Sequence, residues 1–137
     1  MNKRFLLAWL IAFVLWMAGS FLVHHTLLQA DYASVQNLFR TPAEAQQYFP
    51  WMILAHVLMA GALVWIYSRG VEAKPWVSQG LRFGVAIALL TVVPWYMIYY
   101  VVQPLPGTIV VKQIVGDTAI IIAIALVTAW IYRSPRT

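Results

Sequence analysis

The chain has 137 residues, of which 63% are hydrophobic and 9% are charged, and its formal net charge is +5. A soluble domain carries about 25% charged residues, so the composition excludes an ordinary water-soluble fold and indicates one membrane domain over residues 1–137. The basic residues lie at the ends of apolar runs, which is typical of topology signals and headgroup contacts and speaks against nucleic-acid binding. Because the chain has no cysteine, disulfides, thiolate metal sites and thiol nucleophiles are excluded.

Four apolar runs follow one another, and each is long enough to cross the hydrocarbon core as a helix, which takes about 20 residues. Helices are expected because every backbone N–H and C=O must be paired within its own segment in lipid. No run alternates polar and apolar residues as the strands of a membrane barrel do. The predicted fold is an all-α membrane protein with four transmembrane helices in an antiparallel bundle, over residues 5–28, 49–67, 76–102 and 108–132.

The first run is longer than the core of a signal peptide, which has about 7–15 residues, so we interpret it as an uncleaved span. It is followed by the only sizeable connection, residues 29–48. Thr41 and Pro42 are typical of a helix start, with Thr41 as the N-cap and Pro42 in the first position. We therefore expect a short amphipathic outer segment of one or two helices. Its apolar residues recur at near-helical spacing: Tyr32, Val35, Leu38 and Phe39.

Lysine and arginine residues predict the orientation. With four spans, Arg40 and Lys112 fall on one side of the membrane and the other basic residues fall on the opposite side. The positive-inside rule places the side that is richer in lysine and arginine in the cytoplasm. Both termini and the loop at 68–75 are therefore expected to be cytoplasmic. The richer side carries seven of the nine basic residues: Lys3, Arg4, Arg69, Lys74, Arg82, Arg133 and Arg136.

Polar side chains within the runs are concentrated in the outer leaflet. Ionisable groups in a span are costly and mark binding sites and proton pathways, so the sequence predicts a polar outer-leaflet pocket. For Asp117 the alternative is a packing carboxylate that hydrogen-bonds a neighbouring histidine or tyrosine; Gln113, one turn earlier, is expected to bond it. The candidate binding residues are His24, His25, His56, Asp117, Gln113, Lys112 and Tyr100.

The adjacent residues His24 and His25 point about 100° apart on a helix, so one is expected to face the bundle and the other the interface or a partner. One hypothesis joins the inward histidine with His56 to bind a metal ion or to supply two axial ligands to haem. The other gives each histidine a structural hydrogen bond to Asp117, to tyrosines or to headgroups. The spacing leaves both open.

Small residues predict where helices pack closely. Gly80 and Gly84 form a groove on the third run, and Gly116 and Ala119 are expected to supply the matching row on the fourth, within the chain or between subunits. Arg82, between the two glycines, is expected to reach inner-leaflet phosphates. Further along the third run, Pro94 is expected to kink the helix because it lacks an N–H.

Three short segments of the sequence are similar to those of a known group of proteins: the residues from His24 to Tyr32, from Gln79 to Gly84 and from Lys112 to Asp117. With them the chain resembles, over nearly its whole length, a group of small uncharacterised bacterial four-helix inner-membrane proteins. The resemblance implies a bacterial inner-membrane setting and carries no activity with it.

No nucleophile-with-base arrangement, phosphate loop, paired acid motif or HExxH motif occurs. The first functional hypothesis is therefore a non-catalytic accessory or assembly subunit, or a homo-oligomer, whose partners are membrane lipid, other membrane subunits or itself, with no cofactor. The second is a small carrier or a ligand- or proton-binding protein that uses Asp117 and His56. The third is a haem- or metal-binding membrane protein.

Overall fold

The computed structural model describes residues 2–133. Within this range the chain forms helices joined by short connections, and no strand occurs in it. Arg136, for which the positive-inside rule predicts a cytoplasmic position, lies outside the described residues. The helices are α1 (Lys3–Ser20), a π-helical segment that continues it (Phe21–Leu27), α2 (Gln29–Ala33), a 3₁₀ turn (Gln36–Leu38), α3 (Pro42–Arg69), α4 (Trp76–Leu90), α5 (Val92–Val102) and α6 (Gly107–Tyr132).

Four helical runs in this part of the chain are long and apolar enough to cross a membrane. They coincide with the four apolar runs of the sequence, so the all-helical fold with four helices of spanning length is confirmed. Their bounds are Lys3–Leu27, Pro42–Arg69, Trp76–Val102 and Gly107–Tyr132.

The predicted helix start at Thr41 is confirmed. The Thr41 hydroxyl accepts a hydrogen bond from the Glu44 N–H (3.3 Å), and the Glu44 carboxylate accepts one from the Thr41 N–H (2.9 Å), which is a capping box. The helix that begins there is not a separate surface helix, because α3 continues unbroken to Arg69. Alanine, glutamate and glutamine dominate residues 43–47 and favour helix, so nothing ends the helix before the apolar run.

The third run is interrupted just before Pro94, where the sequence predicts a kink. Proline has no N–H, and its ring collides with the carbonyl four residues earlier, here that of Leu90. The chain responds at Thr91, where φ is −116° and ψ is −67°, and α4 and α5 become two segments of one run. The Thr91 hydroxyl donates to the Ile87 carbonyl at 2.7 Å.

Helix α6 lies at the centre of the structure, because it packs against α1, α3, α4 and α5. Its apolar core residues Ile121 and Ile124 are buried together with small residues of α1 and α3, such as Ala8 and Ala60. Helix α4 takes α6 as its main partner and meets α3 at the 70–75 loop, where the Tyr67 hydroxyl donates to the Gln79 side chain (2.9 Å).

Gly80 and Gly84 allow α4 and α6 to approach closely, as the sequence predicted. A Cβ at Gly84 would lie 2.9 Å from the Cα of Ile122, and one at Gly80 would lie 2.9 Å from the Cβ of Ala129. No side chain larger than hydrogen therefore fits at either position without moving α6.

Within the chain, the partner row predicted for these glycines is wrong. Gly116 faces Val23 of the π-helical segment, where an added Cβ would lie 2.6 Å from a Val23 methyl group, and Ala119 is exposed. The row that meets α4 includes Ala125 and Ala129 instead. Both rows repeat small residues at helical spacing, so the spacing does not decide which one the helix turns towards α4.

Candidate functional site

The acid Asp117 has hydrogen-bond partners on both of its oxygens. His24 Nε2 lies 3.0 Å from Oδ1, and the Tyr96 hydroxyl donates to Oδ2 at 2.5 Å. The His24 and Asp117 side chains are 30% and 20% exposed, so the pair is mostly enclosed but still reached from one side. The carboxylate thus joins the π-helical segment, α5 and α6.

Tyr32 and Gln113 extend this group. The Tyr32 hydroxyl lies 2.6 Å from His24 Nδ1, and Gln113 Nε2 donates to the Tyr32 oxygen at 3.0 Å. The His24 and Tyr32 rings are also nearly parallel, with centroids 6.0 Å apart. We call the five residues His24, Tyr32, Tyr96, Gln113 and Asp117 the outer cluster.

The partners fix the direction of each hydrogen bond. An ionised carboxylate only accepts, so His24 Nε2 carries a hydrogen and donates to Asp117. In a neutral imidazole the other nitrogen then accepts, and the Tyr32 hydroxyl donates to it. The Tyr32 oxygen in turn accepts from Gln113. With an ionised Asp117 and a neutral His24, the chain of donors therefore runs from Gln113 through Tyr32 and His24 to Asp117.

The π-helical segment places His24 in the cluster. Its wider turn is closed by the Leu28 N–H, which donates to the Val23 carbonyl five residues earlier (2.9 Å), as π-helical geometry requires. His24 faces α6, while His25 is exposed and packs on Phe21 with ring centroids 4.7 Å apart. The expectation that only one of the two adjacent histidines faces the bundle is confirmed.

His56 has partners of its own, away from Asp117. Its Nδ1 donates to the Met52 carbonyl at 2.7 Å, and Ser20 Oγ lies 3.3 Å from its Nε2. The ring meets the Trp16 ring edge-on and is 8% exposed. The structure therefore brings His24 to Asp117 but does not join His56 to them, because both nitrogens of His56 are engaged by α1 and α3.

Lys112 pairs with an acid of α2, and Gln113 differs from its expected contact. The Lys112 ammonium lies 2.8 Å from both carboxylate oxygens of Asp31 on α2, in an exposed ion pair. The expected hydrogen bond between Gln113 and Asp117 is wrong, because His24 and Tyr96 occupy the two oxygens and the Gln113 amide turns to Tyr32.

Two other candidates lie apart from the cluster. Tyr100 is 53% exposed, and its hydroxyl lies near Gly107 at the start of α6. Arg82 is exposed on α4, and its contact with lipid phosphate stays a prediction. Conversely, Tyr32 and Tyr96 belong to the cluster although neither was among the candidate binding residues. Both carry a hydroxyl at the depth of the histidines and Asp117, and this feature of the sequence could have identified them.

Tyr32 lies outside the four helical runs of spanning length, and burial raises its pKa above the ordinary value. The negative charges of Asp117 and Asp31 raise it further, while the hydrogen bond from Gln113 lowers it. The hydroxyl therefore keeps its hydrogen at neutral pH and acts as a donor, as the direction of the bonds requires.

The cluster offers one imidazole and one carboxylate as proton acceptors, bordered by two phenols and an amide. Among residues 2–133 no group of three or more histidine, cysteine or acidic side chains is gathered as metal ligands would be. The metal and haem hypothesis stays a prediction that an absorption spectrum and metal analysis test.

The chain matches no protein-family model, no curated protein and no solved structure.

Proposed function

We propose that the chain is a non-catalytic multi-pass protein of a bacterial inner membrane that reversibly binds a proton at the outer cluster. It crosses the bilayer four times as an antiparallel bundle with both termini in the cytoplasm. The bacterial setting rests on the resemblance carried by the strings around His24, Arg82 and Asp117. The orientation rests on the distribution of lysine and arginine.

Exposed apolar surface supports insertion in lipid. Leu10 is 60% exposed, Leu90 73% and Val101 85%, and such side chains lie along the long helical runs. In water this surface would be very unfavourable, since about 25 cal/mol is lost for each Å² of apolar surface left exposed. The antiparallel arrangement is supported by the contacts of α4 with α6, where the later glycine, Gly84, meets the earlier residue Ile122.

The partnered carboxylate of Asp117 is the observation that carries proton binding. An ionisable group in a spanning helix is retained at a cost, and it marks a proton or ligand site by default. Here it lies within hydrogen-bond distance of an imidazole, the side chain whose ordinary pKa of about 6.5 lies in the physiological range. A proton added to His24 turns a negatively charged cluster into a neutral ion pair, which suits an apolar surrounding.

Histidine ¹⁵N NMR of the purified protein in lipid nanodiscs tests the proposal. We expect His24 to change reversibly between its neutral and protonated forms as the pH falls. Asp117→Asn should lower the midpoint by about one pH unit or more, because an opposite charge within about 4–6 Å favours the charged form by that amount. His25→Gln is the matched control and should leave the His24 midpoint in place, since His25 packs on Phe21 outside the cluster.

Two results would overturn proton binding. One is a His24 signal that stays in a single form between pH 4 and pH 9 while the exposed His25 titrates. The other is an Asp117→Asn protein, folded by circular dichroism, in which the His24 midpoint equals that of the wild type.

A second candidate function is that of an accessory or assembly subunit, or of a homo-oligomer. The observation in its favour is the surface of α5, which has no buried residue. In the apolar 18-residue stretch of the third run 6% of the residues are buried inside the chain, whereas in that of the fourth run 33% are buried. Such a face fits lipid or a second helical surface. Purification in mild detergent, with the mass of the complex and the co-purified proteins measured, separates a lone chain from an assembly.

A further inference from the structure

The amide of Gln113 is satisfied on one side only. The residue is 6% exposed, and its Nε2 donates to the Tyr32 oxygen, yet its Oε1 is buried without a hydrogen-bond partner. A buried acceptor without a partner is costly. The same amide nevertheless bonds Tyr32, whose hydroxyl bonds the titratable ring of His24.

Protonation of His24 would leave the hydrogen of the Tyr32 hydroxyl without an acceptor in the observed arrangement. When His24 Nδ1 carries a hydrogen, it donates to the Tyr32 oxygen, and the Tyr32 hydrogen can no longer point at the ring. A half-turn of the Gln113 amide exchanges its Nε2 and its Oε1. The Oε1 then accepts the hydrogen of Tyr32, and Nε2 moves to the buried position that Oε1 held. The protonated ring and the Tyr32 hydroxyl both keep a hydrogen-bond partner in this arrangement.

We propose that Tyr32 and Gln113 form a proton-linked switch, in which the hydroxyl and the amide reverse together when His24 takes up a proton. This inference rests on the proposed proton binding and assigns Gln113 as its positioning residue. The proton comes from solvent and adds to His24 Nδ1; no other covalent bond changes. The His24 Nε2 hydrogen stays on the bond to Asp117 in both states.

The charged and titratable groups around His24 are consistent with this switch. From α2, Asp31 pairs with Lys112 of α6 at 2.8 Å, so these two charges compensate each other. From α5, Tyr96 donates to Asp117, and from α3, His56 contacts Ser20 one turn before His24. On its own segment His25 is turned outward. Asp117 therefore remains as the counter-charge for a protonated His24.

A double-mutant cycle on the His24 midpoint tests the switch. Gln113→Met keeps the volume and removes the amide that bonds Tyr32 in both states. The protonated state loses more, because the Tyr32 hydrogen is then left without an acceptor. We expect the midpoint to fall by about 0.5–1 pH unit, a 3- to 10-fold loss of proton affinity, which corresponds to one hydrogen bond. Tyr32→Phe should lower it as well. In the Tyr32→Phe background, Gln113→Met should produce no further shift, because the hydroxyl that couples them is gone.

Two further variants separate the switch from a merely structural role. Gln113→Glu supplies a carboxylate that accepts from Tyr32, so the midpoint should rise instead of falling, and this variant also serves if Gln113→Met does not fold. Thr118→Val is the matched control: Thr118 also lies on α6 with a buried, unpartnered oxygen, but outside the cluster. It should leave the midpoint unchanged.

The outcomes distinguish the switch from the function on which it rests. A His24 midpoint that is sensitive to Asp117→Asn but unmoved by Gln113→Met overturns the switch alone. The same holds if Gln113→Met shifts the midpoint equally with and without the Tyr32 hydroxyl. A His24 that does not titrate in the wild type overturns both.

Discussion

Substitution of Gly84 by alanine tests the packing of α4 against α6. The added Cβ would lie 2.9 Å from the Cα of Ile122 and 3.0 Å from the Cβ of Ala125. The nearer atom belongs to backbone, so no side-chain rotation relieves the contact and the two helices must separate. Overpacking of this kind costs about 1–3 kcal/mol.

Helix propensity acts in the opposite direction. Alanine is favoured over glycine inside a helix by about 1 kcal/mol, so Gly84→Ala would stabilise the protein if the site were open. Subtracting the propensity gain from the overpacking cost gives an expected net loss of about 0–2 kcal/mol in the free energy of unfolding. The sign of the change therefore decides between close packing and open space.

Unfolding by dodecyl sulfate in mixed micelles, followed by tryptophan fluorescence and circular dichroism, measures this free energy. Gly70→Ala is the matched control, because a Cβ there would meet only the Ile66 carbonyl at 3.9 Å, and φ at Gly70 is −109°. We expect the control to stay within about 0.5 kcal/mol of the wild type. A Gly84→Ala protein about 1 kcal/mol more stable than the wild type, which is the gain expected in open space, would refute the close contact of α4 with α6.

Three other predictions concern topology, the exposed ion pair and alkaline pH. Single cysteines at Asn37 and Ala73, in a chain with no cysteine of its own, should react with an impermeant maleimide from opposite sides of the membrane; labelling from one side would contradict the four-span topology. Lys112→Met should lower the free energy of unfolding by no more than about 1 kcal/mol, because its pair with Asp31 is exposed; a loss of 3 kcal/mol would indicate a buried role. The raised pKa of Tyr32 predicts that the free energy of unfolding falls above about pH 10, where the unfolded chain ionises first, and that the fall is smaller in Tyr32→Phe; equal slopes would refute it.

Local features of the fold were predictable from the sequence. The cap at Thr41 and the interruption before Pro94 depend on residues within four positions of each other, so the sequence contains the whole cause. The four apolar runs are equally local, because their length and composition alone decide whether they are long enough to cross a bilayer.

Contacts between helices were less predictable, because they depend on how each helix is rotated about its axis. Gly116 and Ala125 lie in rows of small residues with the same spacing, and only the packed structure shows which row meets α4. The π-helical turn changes the face on which residues after Ser20 lie, and this directs His24 rather than His25 to α6. No periodicity in the sequence indicates that π-helical turn.

The candidate site was predictable in its depth and in part of its membership. The histidines and Asp117 were predicted at a similar depth of the bundle, and His24, Gln113 and Asp117 were among the candidate residues. His56 was grouped with them because it lies at a similar depth, but its bonds to Met52 and Ser20 give it another environment. Tyrosines are common at membrane boundaries, so their number alone did not single out the two that bond the pair.

The central claim is that His24 and Asp117 form one hydrogen-bonded pair in the folded protein in a bilayer. Solid-state NMR of the protein in lipid, with ¹⁵N-labelled histidine and ¹³C-labelled aspartate, measures this contact directly, and Asp31 is the only other aspartate in the chain. With Nε2 and Oδ1 3.0 Å apart, we predict a ¹⁵N–¹³C dipolar coupling that persists in Asp31→Asn and vanishes in Asp117→Asn. No coupling in the wild type, or a coupling that survives Asp117→Asn, would contradict the claim.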